Sequence, residues 1–121
     1  MKGKDIHLKT YNKLVRDCIP EIISKDGKNV VSHVLSEEDY IAELDKKLIE
    51  EVSEYIKDKN LEEMADILEV LYAICKARGY TIEDLENKRK EKAEIRGGFQ
   101  EKIFLEYVDE NIASKSGRSK S

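Results

Sequence analysis

Tryptophan is missing from these 121 residues, proline occurs once, at Pro20, and cysteine occurs twice. The shortage of proline leaves long stretches free of helix breakers. Cys18 and Cys75 stand apart with no motif spacing, which argues against a disulfide framework or a cysteine-ligated zinc site. Cys75 falls on an apolar helix face as a small core residue, and a reduced, cytoplasmic setting fits both thiols. No run approaches about 18 consecutive apolar residues, and the first residues lack the apolar core of a signal peptide. The sequence therefore predicts no membrane partner. Nor is there a basic excess: 22 Lys and Arg face 26 Asp and Glu, for a net charge of −4. A general nucleic-acid binder needs a dominant basic surface to displace counterions, so no nucleic-acid partner is expected. A small anionic ligand held through a metal is compatible with this balance.

What is present points to helices. Apolar and charged residues each make up 40% of the chain, and the apolar ones recur periodically, as in a folded domain. One domain over residues 1–110 is expected, followed by a small, polar tail over 111–121 that reads as disordered. Pro20 fits the first turn of a short helix over 20–24. "DGK" at 26–28 is a turn signal. Ser36, with Asp39 three residues on, opens a long helix to about residue 58. Asn60, with Glu63 three residues on, opens a second, which Gly79 closes. Thr81, with Asp84, opens a third that ends at Gly97-Gly98. The expected fold is all-α, a bundle of antiparallel helices. One short β pairing is expected between "NVVSHVLS" near 30–35 and "KIFLEYV" over 102–108.

The acids on the first two long helices raise the functional question. At about 100° per residue, Glu51 lies about 20° from Leu44, at the edge of the face made by Ile41, Leu44, Leu48, Val52, Tyr55 and Ile56. Glu54 lies further round on the same side, and Lys47 falls between the two. Glu50 points away from that face. On the next helix, Leu61, Met64, Ile67, Leu68, Val70, Leu71, Ile74 and Cys75 form an arc wider than one solvated helix needs. That helix is therefore central, or covered by a partner subunit. Glu63 falls inside the arc and Asp66 at its edge, whereas Glu62 and Glu69 point to the opposite side. Folded antiparallel across "KDKN", the helices place Glu54 level with Glu63, and Glu51 level with Asp66 one turn deeper. Four carboxylates cannot share a partly buried seam unpaired, because desolvation and like charge both oppose ionisation. Mg²⁺ or Mn²⁺ is the natural counter-charge for such an oxygen set. A single acidic pair on a helix is commonly a solvated face or a salt-bridge partner. Two pairs on consecutive helices, both skewed to the apolar side, weigh against that reading. A di-iron site needs Glu-x-x-His pairs, which His7 and His33 do not supply.

"EEVSE" followed by "EMAD" resembles the EExxE…ExxD signature of the MazG-like all-α nucleoside triphosphate pyrophosphatase superfamily. "YNKLVRDCIPEII" and "RGGFQEKIFLEY" are similar to the flanking segments of its phosphoribosyl-ATP pyrophosphohydrolase-like branch, so the resemblance spans roughly residues 11–108. It implies Glu51, Glu54, Glu63 and Asp66 as metal ligands, with Glu50 as a further member of the catalytic motif. It also implies Mg²⁺-dependent hydrolysis between the α- and β-phosphates of a nucleotide, and a homodimer or homotetramer. The branch carries Lys where this chain has Cys18, and the spacer between Glu54 and Glu63 is short. Such chemistry needs cations on the phosphates. The candidates are Lys13, Arg16, Lys47, Lys92 and Arg96, of which Lys47 can equally pair with Glu51. Tyr11, Tyr55 and Tyr72 could stack on a base, although aromatics at helical spacing are commonly core. The expected function is metal-dependent nucleoside triphosphate pyrophosphohydrolysis, with removal of non-standard nucleotides as the role the resemblance suggests. Phosphoribosyl-ATP pyrophosphohydrolysis is the enzymatic alternative, and a helical oligomerisation or binding module the non-enzymatic one.

Overall fold

Residues 8–111 are described by the structure, a computed structural model. Four helices follow in order: α1 (Ile19–Lys25), α2 (Glu37–Asp58), α3 (Leu61–Ala77) and α4 (Ile82–Arg96). The described residues are all-α. The chain divides into two compact units, with the boundary between Asn87 and Lys88 inside α4.

Local chemistry sets the helix ends. The Ser36 hydroxyl accepts the Asp39 amide at 3.2 Å, so the first turn of α2 loses one orphan donor. α2 stops when Lys59 turns left-handed, at φ 53°, and its amide closes on the Tyr55 carbonyl. The Asn60 side chain accepts the Glu63 amide at 2.9 Å and starts α3 at once. Thr81 and Asp84 form a reciprocal capping box, each side chain accepting the other's amide at 2.9 Å. Gly79, at φ 91°, makes the sharp exit from α3 that a β-carbon would strain.

In the first unit α2 and α3 pack as an antiparallel pair. Leu44, Val70 and Cys75 are the buried apolar residues at their interface. Arg78, just past α3, pairs with Asp45 of α2 at 3.4 Å and fixes the far end of the pair. The Cys75 thiol donates to the Thr81 carbonyl at 3.1 Å, tying α3 to the start of α4. A strap over residues 8–18 leads into α1, with Leu14 and Val15 part-buried.

In the second unit the end of α4 carries charge on every side and buries nothing. Residues 102–111 continue without secondary structure.

The expected β pairing is absent among the described residues, since neither 30–35 nor 102–108 is strand. Branched and aromatic residues favour extended backbone, but a strand exists only when a partner takes its amides. Most side chains of both runs stand in solvent, with Val31 100% exposed and Phe104 87%, while Val30 and Leu35 are part-buried. Of the expected tail, residues 112–121 lie outside the described residues.

Candidate metal centre

The α2–α3 seam gathers acids from both helices. Glu51, Glu63 and Asp66 each offer a carboxylate oxygen, and these oxygens lie within 4.8 Å of one another. A second triad, Glu54, Asp58 and Glu63, meets the same limit and shares Glu63. Glu51 is buried, and Glu54, Glu63 and Asp66 are part-buried. So the four acids do not form one ring. They split into two triads hinged on Glu63, and Asp58, which the periodicity argument passed over, completes the outer one. Its position in the last turn of α2, beside the tight turn to Asn60, was the available signal.

The ion pairs divide the acids further. Lys47 lies 3.3 Å from Glu50 and 3.3 Å from Glu51. Lys13 reaches Glu50 at 2.7 Å, and Arg16 reaches Asp66 at 2.6 Å. Glu50 thus faces two lysines rather than the triads. Among the described residues no ion pair neutralises Glu54, Asp58 or Glu63. Partial burial, and then the charges of Asp66, Asp58, Glu54 and Glu51, push the Glu63 carboxyl above its ordinary value. Partial burial alone would raise Glu50 too, but Lys13 and Lys47 outweigh it and hold that carboxyl below the ordinary range. The hydrogen bond to Glu50, with the nearby charges, raises Lys13 against the opposing effect of burial.

The donor set suits a hard cation. Octahedral Mg²⁺ takes oxygens at roughly 2.0–2.1 Å, which places opposite ligands about 4.2 Å apart. Oxygens within 4.8 Å of one another are on the scale of that demand. No histidine or cysteine joins the triads, as zinc would prefer.

Beside the inner triad lies a cleft of about 770 Å³, between the strap and the α2–α3 pair. The strap contributes Leu14, Val15, Arg16, Asp17 and Cys18, and Glu51 and Asp66 stand in its wall. Such a volume falls in the usual range for small-molecule pockets. Tyr72 lines the cleft, together with Tyr40 and Lys76, which the sequence argument did not single out. Glu69, expected on the solvent side, is exposed yet also lines it. Tyr11 and Tyr55 are placed elsewhere. Lys9 and Lys13 stand over the Tyr11 ring, and Lys59 stands over Tyr55. Of the five cations considered from the sequence, Arg16 and Lys47 meet acids of the inner triad, and Lys13 meets Glu50 outside it. Lys92 and Arg96 belong to the second unit, where both are exposed.

No protein-family model matches the chain, and no solved structure matches it. It is similar to an uncharacterised protein of Mycolicibacterium smegmatis (strain ATCC 700084 / mc(2)155), 52% identical over 42 residues. That match covers 35% of this chain and 43% of the relative, so the two share less than half of either length.

Proposed function

We propose that the protein is a metal-dependent nucleotide pyrophosphohydrolase with its active site on the α2–α3 seam. The observation that carries this reading is the inner triad, three carboxylates from two helices within 4.8 Å of one another beside a nucleotide-sized cleft. A divalent cation would relieve the repulsion among these acids.

Glu51, Glu63 and Asp66 would hold an Mg²⁺ or Mn²⁺ ion, and Glu54 stands one turn outward. Such an ion would supply charge neutralisation for the phosphates and an activated water. A carboxylate of the outer triad takes the proton that this water gives up. The water oxygen bonds to phosphorus, and the anhydride P–O bond between the α- and β-phosphates breaks. A nucleoside monophosphate and pyrophosphate leave. Lys47 pairs with both Glu50 and Glu51 and holds their carboxylates in place. Arg16 on the strap faces the phosphate chain, and Lys13 anchors the strap on Glu50. Tyr40 and Tyr72 offer the cleft an apolar wall for the nucleoside.

The chain works as a dimer of identical subunits. Leu61, Met64, Leu68 and Leu71 run along one side of α3, and all four are exposed, Leu61 at 77% and Leu68 at 47%. A face of that width on an otherwise charged helix fits a second copy better than water.

Product analysis tests the reaction. Canonical and modified nucleoside triphosphates and phosphoribosyl-ATP are incubated with the protein and Mg²⁺. Monophosphate plus pyrophosphate is expected. Diphosphate plus phosphate, or no turnover with any of them, contradicts the assignment.

A further inference from the structure

The strap that lines the cleft carries its own cation to Asp66 of the inner triad. Arg16 Nη2 lies 2.6 Å from Asp66 Oδ1, across 50 residues of sequence. Asp66 is one of the three acids whose oxygens converge. A guanidinium stays charged at any ordinary pH, so it cannot yield by losing its proton. Arg16 and a divalent cation therefore compete for the same carboxylate. The Arg16 side chain is 54% exposed, so its guanidinium can leave Asp66 without unpacking a core. Its planar fork of donors matches the oxygens of a phosphate.

We infer that Arg16 is an exchangeable counter-charge. It neutralises Asp66 in the metal-free protein, leaves Asp66 when a cation enters, and moves to the phosphates of the incoming ligand. Lys13, 2.7 Å from Glu50 outside both triads, anchors the strap during the exchange. The result is a site whose Asp66 is paired with Arg16 when empty and whose Arg16 faces phosphate when loaded. This inference rests on the metal reading above. It adds that one residue opposes the metal and favours the anion.

Two bindings on wild type, Arg16→Ala and Arg16→Lys test it. Mn²⁺ alone is titrated and counted by the loss of the free-ion paramagnetic signal. Inorganic pyrophosphate is then titrated by calorimetry in saturating Mg²⁺. For Arg16→Ala the expected result is Mn²⁺ affinity raised about two- to fivefold, the size of an exposed ion pair removed from competition. Pyrophosphate affinity falls by about tenfold, as for loss of a charge-assisted contact. Arg16→Lys keeps the charge but not the fork, so it leaves Mn²⁺ affinity near wild type and still weakens pyrophosphate. A damaged fold would lower both affinities, and shifts of opposite sign exclude that cause. Mn²⁺ bound equally by wild type and Arg16→Ala, or pyrophosphate indifferent to both substitutions, overturns the exchange alone. No Mn²⁺ uptake by any of the three proteins overturns the metal reading along with it.

Discussion

Glu63 sits in both triads, and every charge that acts on it is negative. Its raised proton affinity means that the folded state binds a proton here more tightly than the unfolded chain does. Stability from this group is therefore present at low pH and is lost as pH rises through its ordinary value of 4.5 and the raised one above it. Glu63→Gln removes that cost. The substitution should raise the melting temperature of the metal-free protein at pH 7 and abolish the further rise that Mg²⁺ gives wild type. Thermal melts of both proteins, with and without Mg²⁺, check the crossing. Glu50 behaves in the opposite way. Its depressed carboxyl contributes stability above 4.5, and that contribution vanishes as pH falls through the lower folded value. Glu50→Gln should cost up to about 1 kcal/mol at pH 7, given how exposed the pair with Lys13 is, and nothing at pH 2. Denaturant titrations at the two pH values measure this.

At the scale of the elements, the turn between α2 and α3 sets the register of the acids. Lys59 in the left-handed region and Asn60 as cap leave no slack between Asp58 and Leu61. Asn60→Ala should cost about 1 kcal/mol of stability and weaken Mg²⁺ binding, because Glu63 rides on the turn that the cap secures. Chemical denaturation and a metal titration on the same protein test both halves. The helices, their caps and their order were legible because each rests on local chemistry, such as Ser36 to Asp39 or Thr81 to Asp84. The meeting of Glu51, Glu63 and Asp66 was legible too, since helical periodicity and a short turn fix it. Three features were not. The run from 30 to 35 has strand composition, but composition does not supply the partner that a strand needs. Asp58 follows Glu54 at i,i+4 in the last turn of α2, a spacing that solvated acids at helix ends share, so the spacing did not set it apart. The strap's reach from Arg16 to Asp66 spans 50 residues, and no local pattern encodes a contact of that kind.

For the whole molecule, the sparse buried core and the apolar side of α3 make assembly part of the account. The protein should elute as a dimer, and its melting temperature should rise with concentration. Leu68→Glu places a charge on that side and should yield a monomer of lower stability, which light scattering and thermal melts read directly. The central claim is that the α2–α3 carboxylates make the protein a metal-dependent pyrophosphohydrolase. The most direct test is pyrophosphate release from a panel of canonical and modified nucleoside triphosphates, with and without Mg²⁺, for wild type and Glu63→Gln. The account predicts release by wild type in Mg²⁺ alone, and a fall of at least about a hundredfold in Glu63→Gln. Release that ignores Mg²⁺ or survives the substitution, or no release from any substrate together with no Mg²⁺-induced shift in melting temperature, would contradict it.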